Sequence, residues 1–409
     1  MIISASIICW MCFALILGLI AGTISGIMPG IHINLISALL LVFSSFLLTR
    51  FSLAPLVLVV FLVSMAITHT FVDFVPSIFL GAPDEDNFLS ILPGHEMLIR
   101  GEGYSAVVYT LYGSLSALAI ILLFSPIFFY FLPIIYPYAE KIMPLILLVV
   151  IFFLIYFEKS NKLWALIIFS LSGILGLITL NLPIKESLLP LFTGLFGISS
   201  LITSLNKRQK IPKQKIISIK KIKIGRESLV KSLFASILAS PLCSFLPGMG
   251  SGQAAVIGSE VVGELDRKEF LVLLGSINTI VTGLSFITLY SIHKARTGIA
   301  VSVGKLLEIT PGDIIVITCV ILISGVISFF LTLKLAKIFS KLITKVNYSK
   351  LSMGIIFFLT GLVYWFSGFL GILVLIISTI LGLTCIYAGV RRTHMMGCLI
   401  IPALVLYLL

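Results

Sequence analysis

The most informative feature of this 409-residue sequence is how little charge it carries. Only 11% of its residues are charged, whereas a soluble globular domain has about 25%. Hydrophobic residues make up 59% of the chain, and the mean hydropathy is +1.21. Apolar runs long enough to cross a bilayer recur along the whole length. The composition excludes an ordinary soluble protein and predicts an all-α polytopic membrane protein.

Motifs for catalysis and nucleotide binding are also missing. The sequence contains no P-loop, no nucleophile elbow and no His/Glu zinc pattern. No stretch is long and polar enough to form a soluble nucleotide-binding domain, which argues against an ATP-driven pump. We therefore expect no enzymatic activity, no metal site and no cofactor other than a coupling ion.

The six cysteines follow no ligand or disulfide pattern, because each lies inside or beside an apolar run. Cys9 and Cys12 form a C-x-x-C pair, but within a predicted span and without a second pair or a nearby histidine. We interpret the cysteines as small apolar helix residues.

Acidic residues are scarce, with 16 Asp and Glu against 28 Lys and Arg. Nine of the basic residues lie between Lys207 and Arg226, with no acidic residue among them. A basic loop between apolar segments is typical of a cytoplasmic connection, so the net charge of +12 does not indicate a nucleic-acid partner. Contact with anionic lipid head groups is a secondary expectation.

The apolar segments predict twelve spans and two further stretches. The N-terminal run lacks the basic region of a signal peptide, so we expect it to be retained as a helix. The two further stretches, 31–48 and 250–263, each follow a Pro-Gly pair and are predicted to be spans or arms of re-entrant hairpins. The predicted spans are 3–25, 53–72, 105–130, 143–157, 163–181, 188–204, 229–246, 270–290, 312–333, 351–367, 369–389 and 396–409.

Two segments in opposite halves of the chain resemble each other. "FLVSMAITHTFVDFVPSIFL" (61–80) aligns without a gap with "FLVLLGSINTIVTGLSFITL" (270–289) and pairs His69 with Asn278. In each half, a Pro-Gly break precedes the segment, and a polar loop with four apolar runs follows it.

Loop charge predicts that the two halves face opposite ways. The loop at 334–350 carries five lysines and no acid, whereas its counterpart at 131–142 has only Glu140 and Lys141. We therefore predict two inverted-topology repeats, a construction found in secondary transporters. Both termini are then extracytoplasmic. The predicted divisions are a first repeat at 1–204, a basic cytoplasmic linker at 205–228 and an inverted second repeat at 229–409.

The Pro-Gly breaks are the strongest candidates for a binding site. Irregular backbone is tolerated in a membrane only against protein or a water-filled cavity, because each unpaired backbone group costs several kcal/mol. A helix that starts after a break presents free N–H groups and the positive end of its dipole, which suits an anion. The alternative is that each break only kinks a helix. The predicted substrate-binding residues are Pro29, Gly30, His32, Asn34, Ser37, Pro247, Gly248, Gly250, Ser251 and Gln253.

A second group of residues is a candidate for ion coupling. Asp73 is predicted at the end of a span, where it either binds Na⁺ or carries H⁺, or caps a helix at the interface. His69 and Asn278 are predicted to hydrogen-bond across the repeat interface rather than to titrate. The candidate coupling residues for Na⁺ or H⁺ are Thr68, His69, Asp73, Asn278 and Thr279.

Four segments together carry a resemblance to a known family. They are the two Pro-Gly breaks, "FVPSIFLGAPDEDNFLSILPGHEMLIRGEG" (74–103) and "LLPLFTGLFGISSLI" (188–202). In sequence and in order they resemble the TctA-like permeases, the large membrane subunit of tripartite tricarboxylate transporters. The resemblance implies ion-driven uptake of carboxylate anions across the plasma membrane. It also implies an extracytoplasmic binding protein and a small membrane subunit as partners.

The chain departs from the family pattern in three respects. It is shorter than typical members, and its first break reads Pro-Gly-Ile-His-Ile-Asn. It also carries Asp84, Glu85 and Asp86 where typical members have small neutral residues, and we expect these to form a solvated loop. The matching loop of the second half has Lys294 and Arg296, which either attract an anion or form salt bridges.

Three functions remain in competition. The leading one is a secondary transporter for a small organic anion, a di- or tricarboxylate. A translocase for a lipid-linked phosphate such as polyprenyl phosphate is the alternative, because "PGMGSG" (247–252) resembles breaks in lipid-carrier phosphate translocases and phosphatases. A membrane enzyme acting on such a phosphate would need a His or Arg cluster at the breaks, where only His32 is present.

Overall fold

The structure is a computed structural model that describes residues 5–28, 33–81, 91–156, 158, 160–184, 186–206, 212–245, 251–263, 265–295, 297–343 and 348–408. Within these ranges the chain is almost entirely helical and contains no strand. The α-helices in chain order are α1 (Ala5–Ile27), α2 (Ile33–Arg50), α3 (Pro55–Val72), α4 (Phe74–Leu80), α5 (Ile91–Ile99), α6 (Gly103–Tyr156), α7 (Lys162–Asn181), α8 (Leu188–Phe192), α9 (Ser199–Asn206), α10 (Arg226–Phe245), α11 (Ser251–Val262), α12 (Arg267–Ile292), α13 (Gly298–Leu306), α14 (Pro311–Leu342), α15 (Tyr348–Ala388) and α16 (Gly397–Leu408).

Three short turns connect some of these helices. A π-helical turn, Thr193–Ile198, joins α8 to α9, and a 3-10 turn, Ile219–Lys221, lies in the basic linker. A second 3-10 turn, Arg392–Met396, leads into α16.

Most of the surface of the long helices is apolar. Phe357 and Trp365 on α15 are 84% and 83% exposed, far more than a folded soluble protein tolerates for many such side chains. Seven helical segments within the described ranges are long and apolar enough to cross a membrane. The predicted class, an all-α polytopic membrane protein, is therefore confirmed.

Basic residues gather at one end of the helix bundle. Arg267, at the start of α12, pairs with Glu96 of α5 and lines a cavity together with Arg391. The linker joins this same end, because the Lys215 N–H donates to the Gly101 carbonyl at 2.8 Å. We call it the basic end. Because α12 is about 39 Å long, its C-terminus defines the opposite end.

The stretch α6 is too long for one crossing and reverses direction. Near its middle, Tyr136 accepts a hydrogen bond from Lys294, just beyond the C-terminus of α12 at the opposite end. Near its end, the Leu154 carbonyl accepts from Arg391 at the basic end, at 3.2 Å. The chain therefore turns between Tyr136 and Leu154. The predicted span 105–130 and the described part of the predicted span 143–157 lie within α6.

Two predicted loops are partly helical instead. Residues 131–142 lie inside α6, and residues 334–342 form the last turns of α14. The sequence shows why residues 334–342 are helical. Lys334, Lys337 and Lys341 recur at helical spacing among apolar residues, so helical hydrogen bonding continues beyond the apolar segment.

The stretch α15 is a helical hairpin. Gly368 interrupts it with φ 64° and ψ −160°, a conformation that favours glycine. A Cβ on Gly371 would lie 3.3 Å from Val363 Cγ1, although eight residues of straight helix would separate these residues by about 12 Å. The two arms match the predicted spans 351–367 and 369–389.

Glycines allow the central helices to approach closely. A Cβ on Gly22 of α1 would lie 2.4 Å from the Met65 carbonyl of α3, and one on Gly275 of α12 would lie 2.1 Å from the Thr110 carbonyl of α6. Small residues at helix contacts are typical of membrane bundles, in which van der Waals packing drives association. The same contact brings Gly26, near the end of α1, beside Asp73.

The helices that precede the two Pro-Gly breaks, α1 and α10, start from different ends of the bundle. Helix α3 runs antiparallel to α12, from the opposite end towards the basic end, and α1 packs parallel to it. Helix α10 begins at the basic end, where Lys231 lies 4.0 Å from Glu269. The first break therefore follows a helix from the opposite end, and the second follows a helix from the basic end.

Candidate functional site

Asp73 lies within a long apolar helical span, not at its end. The Asp73 N–H donates to the His69 carbonyl at 3.0 Å, and the Asp73 carbonyl accepts from Ser77 at 3.3 Å, so helical hydrogen bonding passes through this residue. Helices α3 and α4 thus form one span of 26 residues. Asp73 is 2% exposed and its side chain caps neither helix. The prediction that it ends a span, and the interpretation of an interfacial cap, are both wrong.

Two antiparallel helices bring Asp73 to an amide from the other half of the chain. Asn278 Nδ2 of α12 donates to Asp73 Oδ2 at 3.0 Å, and both residues are buried. One turn away, the Thr70 and Thr279 hydroxyls lie 3.5 Å apart. Asn278 Oδ1 is buried and accepts no hydrogen bond from any residue that the structure describes. Such a buried acceptor is destabilising unless another partner reaches it.

Further hydroxyl groups extend this region along α3. Ser328 of α14 donates to Thr68 at 3.0 Å, and Ser324 donates to Ser64 at 3.0 Å. The Ser25 hydroxyl of α1 lies 3.0 Å from His69 Nδ1. We call these residues the mid-membrane polar cluster: Ser25, Ser64, Thr68, His69, Thr70, Asp73, Asn278, Thr279, Ser324 and Ser328.

The cluster contains all five predicted coupling residues. The hydrogen bond of Asn278 crosses from one half of the chain to the other, as predicted. The bond between His69 and Ser25 stays within the first half. Asp73 is the only acidic member, and the members around it carry amide, hydroxyl or imidazole groups. An acid held by neutral polar groups inside a membrane is a candidate for binding a cation or a proton.

The residues that flank the breaks are described only in part. Ser37 in α2 and Ser251 at the start of α11 are both 1% exposed. The other predicted binding positions lie outside the described residues (Pro29, Gly30, His32, Pro247, Gly248 and Gly250), as do the side chains of Asn34 and Gln253. Asp84, Glu85, Asp86 and Arg296 also lie outside them. Lys294 packs on the ring of Tyr136, with Nζ 4.4 Å from its centroid.

Sequence reasoning missed a second polar region, at the basic end. Glu158, in the connection between α6 and α7, accepts hydrogen bonds from the Ser160 N–H at 3.0 Å, the Ser160 hydroxyl at 2.9 Å and His394 Nε2 at 2.6 Å. Arg391 reaches Glu158 through its N–H at 3.2 Å and Glu260 through a guanidinium N–H at 3.0 Å. We call Glu158, Arg391, His394 and Glu260 the basic-end network. An acid at the end of an apolar run, in a chain with few acids, is the only sequence signal for it.

Burial and hydrogen bonding set the protonation states at the basic end. Although burial raises the pKa of Glu158, the donated hydrogen bonds hold it at about 2. Burial lowers the pKa of His394 more than its bond to Glu158 raises it, and burial also raises the pKa of Glu260. The pKa of His95 is lowered to about 4, first by burial and then by the charge of Arg392. Glu158 is therefore ionised, and both histidines are neutral, at pH 7.

Comparison with known proteins identifies the family. Residues 12–397 match the tripartite tricarboxylate transporter TctA family. An uncharacterized protein of Methanocaldococcus jannaschii is 32% identical over 406 residues, which cover 96% of this chain and 98% of the relative. No solved structure matches the chain. The family finding supports the carboxylate interpretation and does not favour the lipid-phosphate alternative. The buried polar cluster in a multi-pass helical bundle and the match over almost the entire chain lead to one conclusion: this protein belongs to the TctA family of tripartite tricarboxylate transporters.

Proposed function

We propose that the protein is a secondary transporter that carries a small organic anion, a di- or tricarboxylate, across the plasma membrane by alternating access. The family is that of a transporter component, which supports a permease rather than an enzyme. The observation that carries the proposal is the burial of Asp73 within a 26-residue span, hydrogen-bonded to Asn278 of the other half. An ionisable group so placed has a functional role by default.

The substrate site in this proposal lies at the two Pro-Gly breaks. Helices α2 and α11 begin at Ile33 and Ser251, directly after them, and run for 18 and 12 residues. A helix N-terminus carries up to about half a positive charge, so two of them would hold a carboxylate without a buried arginine. The buried hydroxyls of Ser37 and Ser251 support this site, because each lies in the first turns of its helix.

The coupling site in this proposal is the part of the polar cluster around Asp73. Asp73, Asn278, Thr70 and Thr279 form two neighbouring contacts, Asn278 Nδ2 with Asp73 Oδ2 and the Thr70 hydroxyl with that of Thr279, and together they carry carboxylate, amide and hydroxyl oxygens. Oxygen donors of this kind suit a hard cation such as Na⁺, and the carboxylate alone would carry H⁺. The buried Asn278 Oδ1, with no donor among the described residues, supports a bound cation there.

We propose that two inverted repeats, residues 1–204 and 229–409, build this site around an approximate twofold axis, with residues 205–228 as the linker. In the alignment of the two halves, Thr70 corresponds to Thr279, and their hydroxyls lie 3.5 Å apart. A residue can contact its own counterpart only beside the axis that relates the two. This contact supports the repeat. The start of α1 and α10, which precede the two breaks, from different ends of the bundle supports it as well.

The partners follow from the tripartite architecture of the family. Tripartite tricarboxylate transporters contain other subunits besides the TctA protein. We propose a small membrane subunit and an extracytoplasmic binding protein as the partners of this chain. Both termini lie on the side of the binding protein, and the basic end faces the cytoplasm.

Uptake by proteoliposomes tests the function. Under imposed Na⁺ or pH gradients, the parent should accumulate labelled citrate or a related carboxylate, and Asp73→Asn should reduce accumulation to the level of empty liposomes. The matched control is Asp313→Asn, because Asp313 is also buried but only caps α14 through Thr310, at 2.7 and 2.9 Å. Full accumulation by Asp73→Asn, or accumulation by the parent without any gradient, contradicts ion coupling at this site.

Cysteine labelling in intact cells tests the orientation. A reagent applied from outside should reach cysteines placed at residue 1 or 409 and should miss those at 215 and 345. Labelling of 345 but not of 215 would contradict the inverted repeat, because both loops belong to the cytoplasmic side in that arrangement.

A further inference from the structure

The basic end contains a cavity that is separate from the mid-membrane polar cluster. Its volume is about 530 Å³, which lies in the range of small-molecule sites. Three guanidinium groups line it, those of Arg267, Arg391 and Arg392, together with the carboxylates of Glu96 and Asp266. Apolar side chains complete the wall, including Phe196 of the π-helical turn and Phe270 of α12.

The charges in this cavity are not all balanced. Arg267 pairs with Glu96, and Arg391 pairs with Glu158 and Glu260. Asp266 accepts a hydrogen bond from the Glu269 N–H at 2.7 Å and so caps α12. Arg392 forms no ion pair with any described carboxylate, and its hydrogen bond goes to the neutral Ser200 hydroxyl at 2.5 Å.

A guanidinium that has no ion-pair partner strongly favours the binding of an anion. Burial lowers the pKa of Arg392 more than the charges of Cys385 and the nearby Glu96 raise it, so the protein environment on balance disfavours the charge that this side chain carries. A guanidinium binds a carboxylate through two parallel hydrogen bonds, and these are among the strongest that proteins form. The nearby Phe196 and Phe270 would pack against the carbon skeleton of the same ligand.

We propose that this cavity is a second anion site, in which Arg392 holds an organic carboxylate at the basic end. This inference rests on the proposed function, because the ligand is of the class that the transporter would carry. This second site would hold the anion between the proposed substrate site at the Pro-Gly breaks and the compartment that the basic end faces. The mixed charged and apolar wall favours an organic carboxylate over inorganic phosphate.

Protection from thiol labelling at residue 393 tests the proposal. Thr393 lines the cavity and is partly exposed, and its hydroxyl has no hydrogen-bond partner among the described residues, so Thr393→Cys sacrifices no described hydrogen bond. The purified variant is treated with N-ethylmaleimide, and modification of residue 393 is followed by mass spectrometry. Citrate should slow this modification, whereas glycerol should not.

Further substitutions in the Thr393→Cys protein assign the protection to Arg392. Arg392→Gln should raise the citrate concentration for half-protection at least about tenfold, the expected loss for one charge-assisted hydrogen bond. Arg392→Lys should retain part of the protection. The matched control is Ser200→Ala, which removes the hydrogen bond to Arg392 but leaves its charge, and it should change half-protection by less than about twofold. Glu96→Gln frees Arg267 and should strengthen protection.

Three results would overturn the inference. The first is that citrate protects residue 393 equally in the Arg392→Gln variant and in the parent. The second is that citrate gives no protection. The third is that anionic phospholipid vesicles or phosphate protect residue 393 and citrate does not. Uptake by the same protein separates this inference from the proposed function. A parent that accumulates citrate without protection at residue 393 contradicts only the cavity site. A parent that shows protection but no uptake under any gradient contradicts the transport function.

Discussion

The mid-membrane polar cluster and the basic-end network each bury an acid, but they partner it differently. Glu158 accepts hydrogen bonds from Ser160, His394 and Arg391, so opposite charge and backbone N–H groups neutralise it. Asp73 receives a hydrogen bond from the neutral amide of Asn278 and lies among hydroxyl groups. Arg391 gives Glu158 a permanent counter-charge, whereas the described hydrogen-bond donor to Asp73 is a neutral amide. The coupling role that we propose for Asp73 depends on this difference.

The largest expected difference between the two regions is in stability. Glu158→Ala leaves several buried donors and Arg391 without their acceptor, so we expect it to lower the free energy of unfolding by about 3 kcal/mol or more. Asp73→Asn keeps the size of the side chain and an oxygen that accepts from Asn278, so we expect a change of less than about 1 kcal/mol. Thermal unfolding in detergent measures both, with exposed Glu227→Ala on α10 as the control. Equal losses for the two acids would contradict the comparison.

The second difference is in the response to acid. The pKa of His95 is about 4 in the folded protein, below its ordinary value of 6.5, and that of His394 is also lowered. The unfolded chain therefore binds these protons first as the pH falls. The stability from neutral histidines is complete above about pH 6.5 and is lost as the pH falls towards 4. The loss from His95 at pH 5.5 is about 1 kcal/mol.

Unfolding temperatures at pH 7.5, 6.5 and 5.5 measure this response. His95→Gln and His394→Gln should each reduce the change of unfolding temperature with pH. The stability contributed by ionised Glu158, with its pKa of about 2, should be lost only below about pH 4.5. A parent whose stability rises as the pH falls through this window would contradict the assignment of neutral histidines.

The smallest expected effect tests the symmetry of the mid-membrane polar cluster. Thr70→Val and Thr279→Val each remove one member of a 3.5 Å hydroxyl contact while keeping the shape of the side chain. We expect each to cost no more than about 1 kcal/mol, and the double variant to cost less than the sum because the two share one interaction. Strict additivity would mean that the hydroxyls do not interact.

Much of the fold was predictable from residue pattern. Within the described residues, the twelve predicted spans and the two stretches after the breaks correspond to helices or helical arms, because apolar runs in a membrane must satisfy their backbone internally as helices. The errors fell at connections. Residues 131–142 and 334–342 are helical, since polar or charged residues near a bilayer surface continue a helix as readily as they end it. The inverted repeat and the substrate residues at the breaks stay predictions.

Sequence by itself determined the class of this protein, its family and the identity of its coupling candidates, because hydropathy, broken helices and an ionisable residue near a span are local features. Only the tertiary structure decided that Asp73 lies deep within a span and contacts Asn278, 205 residues away along the chain. It also decided that Glu158, Arg391 and His394 form one network, and that Arg392 faces a cavity without an ion pair to any described carboxylate. These facts depend on helix packing, which sets the distance between residues remote in sequence, and no local pattern encodes that distance.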